Sequence, residues 1–263
     1  MFFLEFDAPE NATSNYRGLN TARVPCWTLF ISLGLGKTGT MVGKNSSRFD
    51  DRSHAGTALG MKLATTLPAG EYTVLGLLRG GVPIAYEVAQ ALGARLGALA
   101  VRKLGVPSNP ELAFGAIAQY ASTSGRYLNP EVHRRALQYF GHDELSSVEN
   151  GTHADLLALA HAFKAYTPDF AGQSVVLCDD GIATGATMKA SLELIAKLRP
   201  CSVTVASPVI APESFAELAP LADGLVELLK PRQVGAVGAY YKDFSQVEQD
   251  DVLKLLNTSP SGK

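Results

Sequence analysis

The sequence predicts an α/β protein built on a five-stranded parallel sheet with flanking helices. Three observations lead there. From Tyr72 onward, short apolar runs alternate with helical stretches, the mark of strands joined by helical crossovers. One such run, Val175-Val176-Leu177-Cys178, ends on two adjacent carboxylates and a Gly/Thr loop that opens a helix. Residues 104–170 interrupt the alternation with a Gly/Pro/Ser/Asn-rich stretch and a long helical pattern, as an insertion would.

The elements follow in chain order. Residues 1–42 show no sustained helical or strand period and are expected to be a poorly ordered extension, with Met41 as a candidate true start. Residues 43–263 are expected to form the domain proper. Ser47-Arg48-Phe49-Asp50-Asp51-Arg52 followed by Ala55, Leu59 and Leu63 predicts a capped amphipathic helix ending near Leu67-Pro68. Residues 72–78 form a strand, Arg79-Gly80-Gly81-Val82-Pro83 a turn with Pro83 placed at a helix start, and 84–92 the helix that continues from it and stops at Gly93. A second strand, 96–101, ends on Arg102-Lys103. Residues 104–128 read as a long loop with a β-hairpin. Residues 130–166 read as helix interrupted at Gly141 and at Asn150-Gly151. After the central strand come helix 188–198, strand 202–210, helix 213–221, strand 225–229 and a terminal helix, 247–256.

The richest chemistry sits in Asp179-Asp180-Gly181-Ile182-Ala183-Thr184-Gly185-Ala186-Thr187. Parallel sheets bind ligands at the carboxyl ends of their strands. There, free backbone N–H groups and the positive end of the next helix attract an anion. Glycines admit a close backbone approach and the threonines add hydroxyl donors, so the loop is a phosphate cradle. The acids would repel phosphate; they suit a polyol, a divalent metal or a cationic transition state. A phosphate and a sugar diol side by side describe a ribose 5-phosphate.

Composition excludes several classes. The 263 residues carry a formal charge of −2, with 46% hydrophobic and 18% charged residues, so a nucleic-acid footprint is absent and a sizeable core is available. Cys26, Cys178 and Cys201 show no C-x-x-C spacing, which argues against a zinc site or disulfide framework and fits a reducing cytoplasm. No apolar stretch is long enough to span a membrane, and Glu5, Asp7 and Glu10 argue against a signal peptide. Gly34-Leu35-Gly36-Lys37-Thr38 imitates a P-loop, but Ile31 stands where the first glycine is needed.

The central run resembles the 5-phosphoribosyl 1-diphosphate (PRPP) motif of type I phosphoribosyltransferases: an apolar strand, two acids, then A-T-G-x-T. The resemblance implies a Rossmann-like core whose inserted residues 104–170 supply a lid and helical hood. It implies that Asp179 and Asp180 hold the ribose hydroxyls, contacting Mg²⁺ only indirectly through those hydroxyls or water. It implies that Gly181 and the loop Ala183, Thr184, Gly185, Ala186 and Thr187 take the 5′-phosphate. Arg79-Gly80-Gly81 resembles the family's pyrophosphate loop. Arg102-Lys103-Leu104-Gly105 is similar to the R-K-x-G before the catalytic loop of adenine and orotate members, which implies that Lys103, together with Arg102, contacts the pyrophosphate leaving group and that Lys103 is catalytic.

Across residues 47–256, the segments F-D-D-R, L-R-G-G-V-P, V-R-K-L-G-V-P-S-N-P-E and V-G-A-Y-Y-K-D-F resemble a group of predicted bacterial phosphoribosyltransferases of undetermined acceptor. Two departures separate the chain from 6-oxopurine enzymes: Gly235 replaces their stacking aromatic, and Ala183 replaces their aspartate base, as alanine does in adenine and orotate types. The implied function is Mg²⁺-dependent transfer of phosphoribosyl from PRPP to a small-molecule acceptor, a nucleobase first, with release of pyrophosphate. No nucleic-acid or membrane partner is expected, and a homodimer is. A PRPP- or nucleotide-binding regulator, and a hydrolase or phosphorylase of a related phosphosugar, remain open alternatives.

Overall fold

The computed structural model describes residues 48–259, so the expected extension at 1–42 lies outside the described residues. The elements are α1 (Arg52–Thr66), β1 (Tyr72–Leu77), α2 (Gly81–Leu92), β2 (Arg95–Val106), β3 (Asn109–Tyr120), β4 (Thr123–Leu128) and α3 (Pro130–Ala162). They continue with β5 (Ser174–Cys178), α4 (Ala186–Lys197), β6 (Ser202–Val209), α5 (Pro212–Leu218), β7 (Gly224–Leu229) and α6 (Gln249–Thr258).

Among the described residues these strands form one sheet in the order β4-β3-β2-β1-β5-β6-β7. The five predicted parallel strands are β2, β1, β5, β6 and β7; β3 and β4 add two antiparallel ones. Buried apolar side chains make a core on each face. Leu75, Leu177, Val205, Met188 and Leu194 meet between the sheet and α4. Val74, Val176, Leu59 and Ile84 meet under α1 and α2. A third cluster joins Leu104 and Phe114 to Leu156 of α3, to Phe163 just after it and to Val252 of α6.

Helix ends follow local chemistry. The Asp51 side chain accepts from the His54 N–H and caps α1, and Gly93, in the left-handed conformation, ends α2. Asn129 caps α3, with Pro130 at its first position.

Three expectations are corrected. Val82 and Pro83 do not belong to the turn, because α2 already begins at Gly81 and Pro83 is its third residue. Residues 104–128 hold the expected β-hairpin, β3 and β4, but not a long loop around it: β2 runs on to Val106 and pairs with β3. The glycines that suggested a loop are there because neighbours come close. A β-carbon at Gly115 would run into the Tyr127 carbonyl, and one at Gly125 into the Ala190 carbonyl of α4. In α3, the predicted break at Gly141 is real (φ 76°, ψ 174°), but the helix continues through Asn150-Gly151. An isolated glycine costs a helix only about 1 kcal/mol, which burial of Leu156 and Leu159 offsets.

Because the parallel strands share a direction, the turns after β1, β5 and β6 open on one edge. Leu77 of β1 pairs with Leu99, so β2 passes that edge by several residues and carries Arg102 and Lys103 beyond it.

Candidate functional site

The two acids stand where β5 stops. The Asp179 N–H still donates to the Ala206 carbonyl of β6 (3.3 Å), and the Asp180 N–H folds back onto Asp179 Oδ1 (2.9 Å). Burial pushes the Asp179 carboxyl well above the usual carboxylate range, and the adjacent Asp180 charge adds to it. Burial also raises Asp180, against the pull of Arg52. Lys103 lowers both, so its charge faces the pair from the β2 arm. Like charges held together in a partly desolvated place attract a cation or a developing positive charge.

The phosphate-type loop follows at once. Ile182 bridges to Ile210, which anchors the loop to the end of β6. Thr184 is exposed, Gly185 takes a left-handed conformation (φ 70°) that favours glycine, and Ala186 and Thr187 open α4. Ala186 is buried. Gly181 packs so closely on Val237 that a β-carbon would overlap the valine side chain. The Ser214 hydroxyl donates to the Ala183 carbonyl (2.6 Å), which fixes the outer side of the loop.

The β1–α2 turn lies directly against the acids. A β-carbon on Gly80 would overlap Asp180 Oδ2, and one on Gly81 would stand 2.5 Å from the Cys178 carbonyl. Arg79 lies 3.6 Å from Glu248. Arg102 is half-buried, and burial together with the nearby Arg79 lowers its pKa. Arg102 and Lys103 are consecutive in a strand and so face opposite sides of the sheet. Arg102 is near Arg79 and Asp155, whereas Lys103 is near the acids. The structure thus gathers Arg79, Gly80, Gly81, Lys103 and residues 179–187 along one edge, with Arg102 behind.

Three features were missed in the sequence. Arg52 was read only as part of the capped start of α1, yet its Nε donates to Asp180 Oδ2 at 2.7 Å. Tyr241 is buried, and its hydroxyl donates to the Asp180 carbonyl (2.6 Å); burial drives its pKa upward, with Asp180 assisting. Lys189 is buried behind the loop, over the Tyr127 ring and bonded to Tyr127 and Glu217. Burial alone would lower the Lys189 pKa, but those two partners raise it. The recurrence of F-D-D-R with V-G-A-Y-Y-K-D-F was a signal for Arg52 and Tyr241, but nothing in the chain said that the segments touch.

Tyr120 and Tyr241 are buried, and Phe244 lies under the Arg52 guanidinium at 3.8 Å, so these rings pack within the protein. A groove of about 890 Å³, lined by Gln119, Leu157, His161 and Lys164, lies by the β3–β4 turn, away from the acid edge. It holds none of this chemistry. A smaller cavity of about 310 Å³ adjoins Arg52, Asp243 and Ser245.

Among the described residues, no cluster of three or more His, Cys, Asp or Glu forms a cage for a metal ion. The two carboxylates nevertheless fit a Mg²⁺ carried in on substrate phosphates, because that ion keeps several of its waters and the acids can accept from those waters or from ribose hydroxyls. No helix among the described residues is long and apolar enough to cross a membrane.

Comparison with known proteins agrees with this geometry. A family model described as a phosphoribosyl transferase domain matches residues 50–241. The chain is 40% identical over 211 residues to the Mycobacterium tuberculosis (strain ATCC 25618 / H37Rv) protein named "Putative phosphoribosyl transferase Rv0571c", covering 80% of this chain and 46% of that protein. It therefore spans about half the length of that relative. The crystal structure of TT1426 from Thermus thermophilus superposes with a TM-score of 0.63 at 40% identity, covering 80% of this chain and 97% of that one.

Proposed function

Because the chain belongs to the phosphoribosyl transferase domain family, we propose that it transfers a 5-phosphoribosyl group from PRPP to a nitrogenous acceptor and releases pyrophosphate. One observation carries the reading: an acid pair, a Gly/Thr anion loop and an arginine-bearing turn meet on one sheet edge, in contact through Gly80 and Asp180. Each matches a different part of PRPP.

In this reading the backbone N–H groups of residues 183–187 and the start of α4 hold the 5′-phosphate. Asp179 and Asp180 accept hydrogen bonds from the ribose hydroxyls. Arg79, with Gly80 and Gly81, receives the pyrophosphate, and Arg102 adds charge behind it. As the C1–O bond to pyrophosphate lengthens, negative charge grows on the leaving group near Lys103. Positive charge grows on the sugar, facing the two acids. Fixed charges already aimed at both ends lower the barrier without reorganisation, usually the largest catalytic term. Mg²⁺, when bound with PRPP, would neutralise phosphate charge. Asp179 and Asp180 would contact it through the hydroxyls or water. In this reading the β2–β3 arm and α3 serve as the hood over the acceptor, which keeps water from a ribosyl cation. The reading includes a nucleobase acceptor, a cytoplasmic location and a homodimer.

The test is a screen of nucleobases with PRPP and Mg²⁺, read by pyrophosphate release. Acceptor-dependent release supports the reading. Tight PRPP binding without release from any acceptor would favour a regulator, and release without acceptor a hydrolase.

A further inference from the structure

We propose that Arg52 is a positioning residue that aims the Asp180 carboxylate at the ribose diol, an inference that rests on the PRPP reading above. Arg52 is 128 positions away in sequence and is the first residue of α1, yet its Nε–H bonds Asp180 Oδ2. The guanidinium is gripped from two further directions. Its Nη1 donates to the Ser245 carbonyl (2.8 Å), and its plane lies over the Phe244 ring, 3.8 Å from the centroid. Only 12% of the side chain is exposed.

The start of α1 is itself clamped to the segment that carries Phe244. Phe49 N–H donates to the Tyr240 carbonyl, Lys242 N–H to the Phe49 carbonyl and Asp243 N–H to the Asp50 carbonyl, each at 2.8 Å. Phe49 also packs on Tyr241, whose hydroxyl holds the Asp180 carbonyl. The side chain and the backbone of Asp180 are therefore both fixed by one unit built from the two ends of the domain.

Oδ2 is occupied on two sides, by Arg52 and by the close approach of Gly80. No side chain of another described residue bonds Oδ1, which leaves that oxygen to accept a hydroxyl. A buried ion pair adds little net stability; geometry is what such a pair supplies best.

The experiment compares two ligands by calorimetry in Mg²⁺ buffer. PRPP carries the diol, and inorganic pyrophosphate does not. Arg52→Met keeps the aliphatic stem over Phe244. It should weaken PRPP by about ten- to a hundredfold, the range for one charge-assisted hydrogen bond, and leave pyrophosphate within about twofold. Arg52→Lys, which keeps the charge but not the fork, should lie between. In an Asp180→Asn background, Arg52→Met should cost PRPP binding nothing further, because the two act as one unit. Equal loss of both ligands, or full additivity in the double variant, would make Arg52 a general structural residue and overturn the inference. If Arg52→Met fails to fold, Arg52→Lys with the Asp180→Asn cycle decides by the same criteria. Wild-type protein that binds neither ligand overturns the PRPP reading and this inference together. Wild-type PRPP binding that survives in the Arg52 variants overturns the inference alone.

Discussion

Asp179 is held at a cost to stability. Its carboxyl titrates above the ordinary aspartate range because burial and Asp180 both oppose its charge. The folded state thus holds this proton more tightly than the unfolded chain does. The penalty is absent below the ordinary aspartate range, grows as pH rises through it, and is complete above the raised folded value. Asp179→Asn keeps an oxygen for the Asp180 N–H. It should therefore raise stability at pH 7–8, with the gain vanishing in acid. PRPP binding should fall in the same variant. Melting curves from pH 4 to 8 check the first outcome and calorimetry the second. Lys103 behaves differently, since it sits on an exposed arm and meets the leaving group chiefly as charge develops. Lys103→Ala should cut kcat about ten- to a thousandfold while PRPP affinity falls much less. Unchanged turnover would leave Lys103 a surface cation.

At the level of elements, the site depends on how closely the β1–α2 turn meets the end of β5. Gly80 has an ordinary backbone (φ −64°), so it is required for space and not for conformation. Gly80→Ala would push its β-carbon into Asp180 Oδ2 and displace the carboxylate. The expected outcome is a loss of about 1–3 kcal/mol of stability, typical of overpacking, with at least tenfold weaker PRPP binding. Gly93→Ala is the control for the same helix: strained by its positive φ but far from the acids, it should lower melting temperature and leave PRPP affinity alone. Similar PRPP affinities in Gly80→Ala and wild type would show that the carboxylate tolerates the shift.

On the scale of the whole molecule, the inserted region does not stand apart from the sheet. Leu104 and Phe114 of the arm share a buried cluster with Leu156 of α3, Phe163 at its C-cap, Leu78 and Val82 beside the pyrophosphate-type turn, and Val252 of α6. Cooperative melting of the described region follows from this shared core. Leu156→Ala should cost about 2–5 kcal/mol and shift one transition, seen together by far- and near-ultraviolet circular dichroism. A separate early transition would mean that α3 and the arm unfold alone.

The sequence by itself determined the parallel core, the strand that ends on Asp179-Asp180 and the loop after it, because apolar period, capping and turn chemistry are local. Arg79-Gly80-Gly81 was legible for the same reason, as a turn between strand and helix. Within 104–128 the hairpin was legible but the length of its strands was not, because glycine signals a loop and a close packing contact with the same letter, and only the neighbours tell them apart. The tertiary structure alone decided that Arg52, Tyr241 and Phe244 close around Asp180. No local pattern encodes a contact between residues 52 and 180. Such a pair exists only after the sheet has ordered its strands and brought both ends of the domain to the same edge.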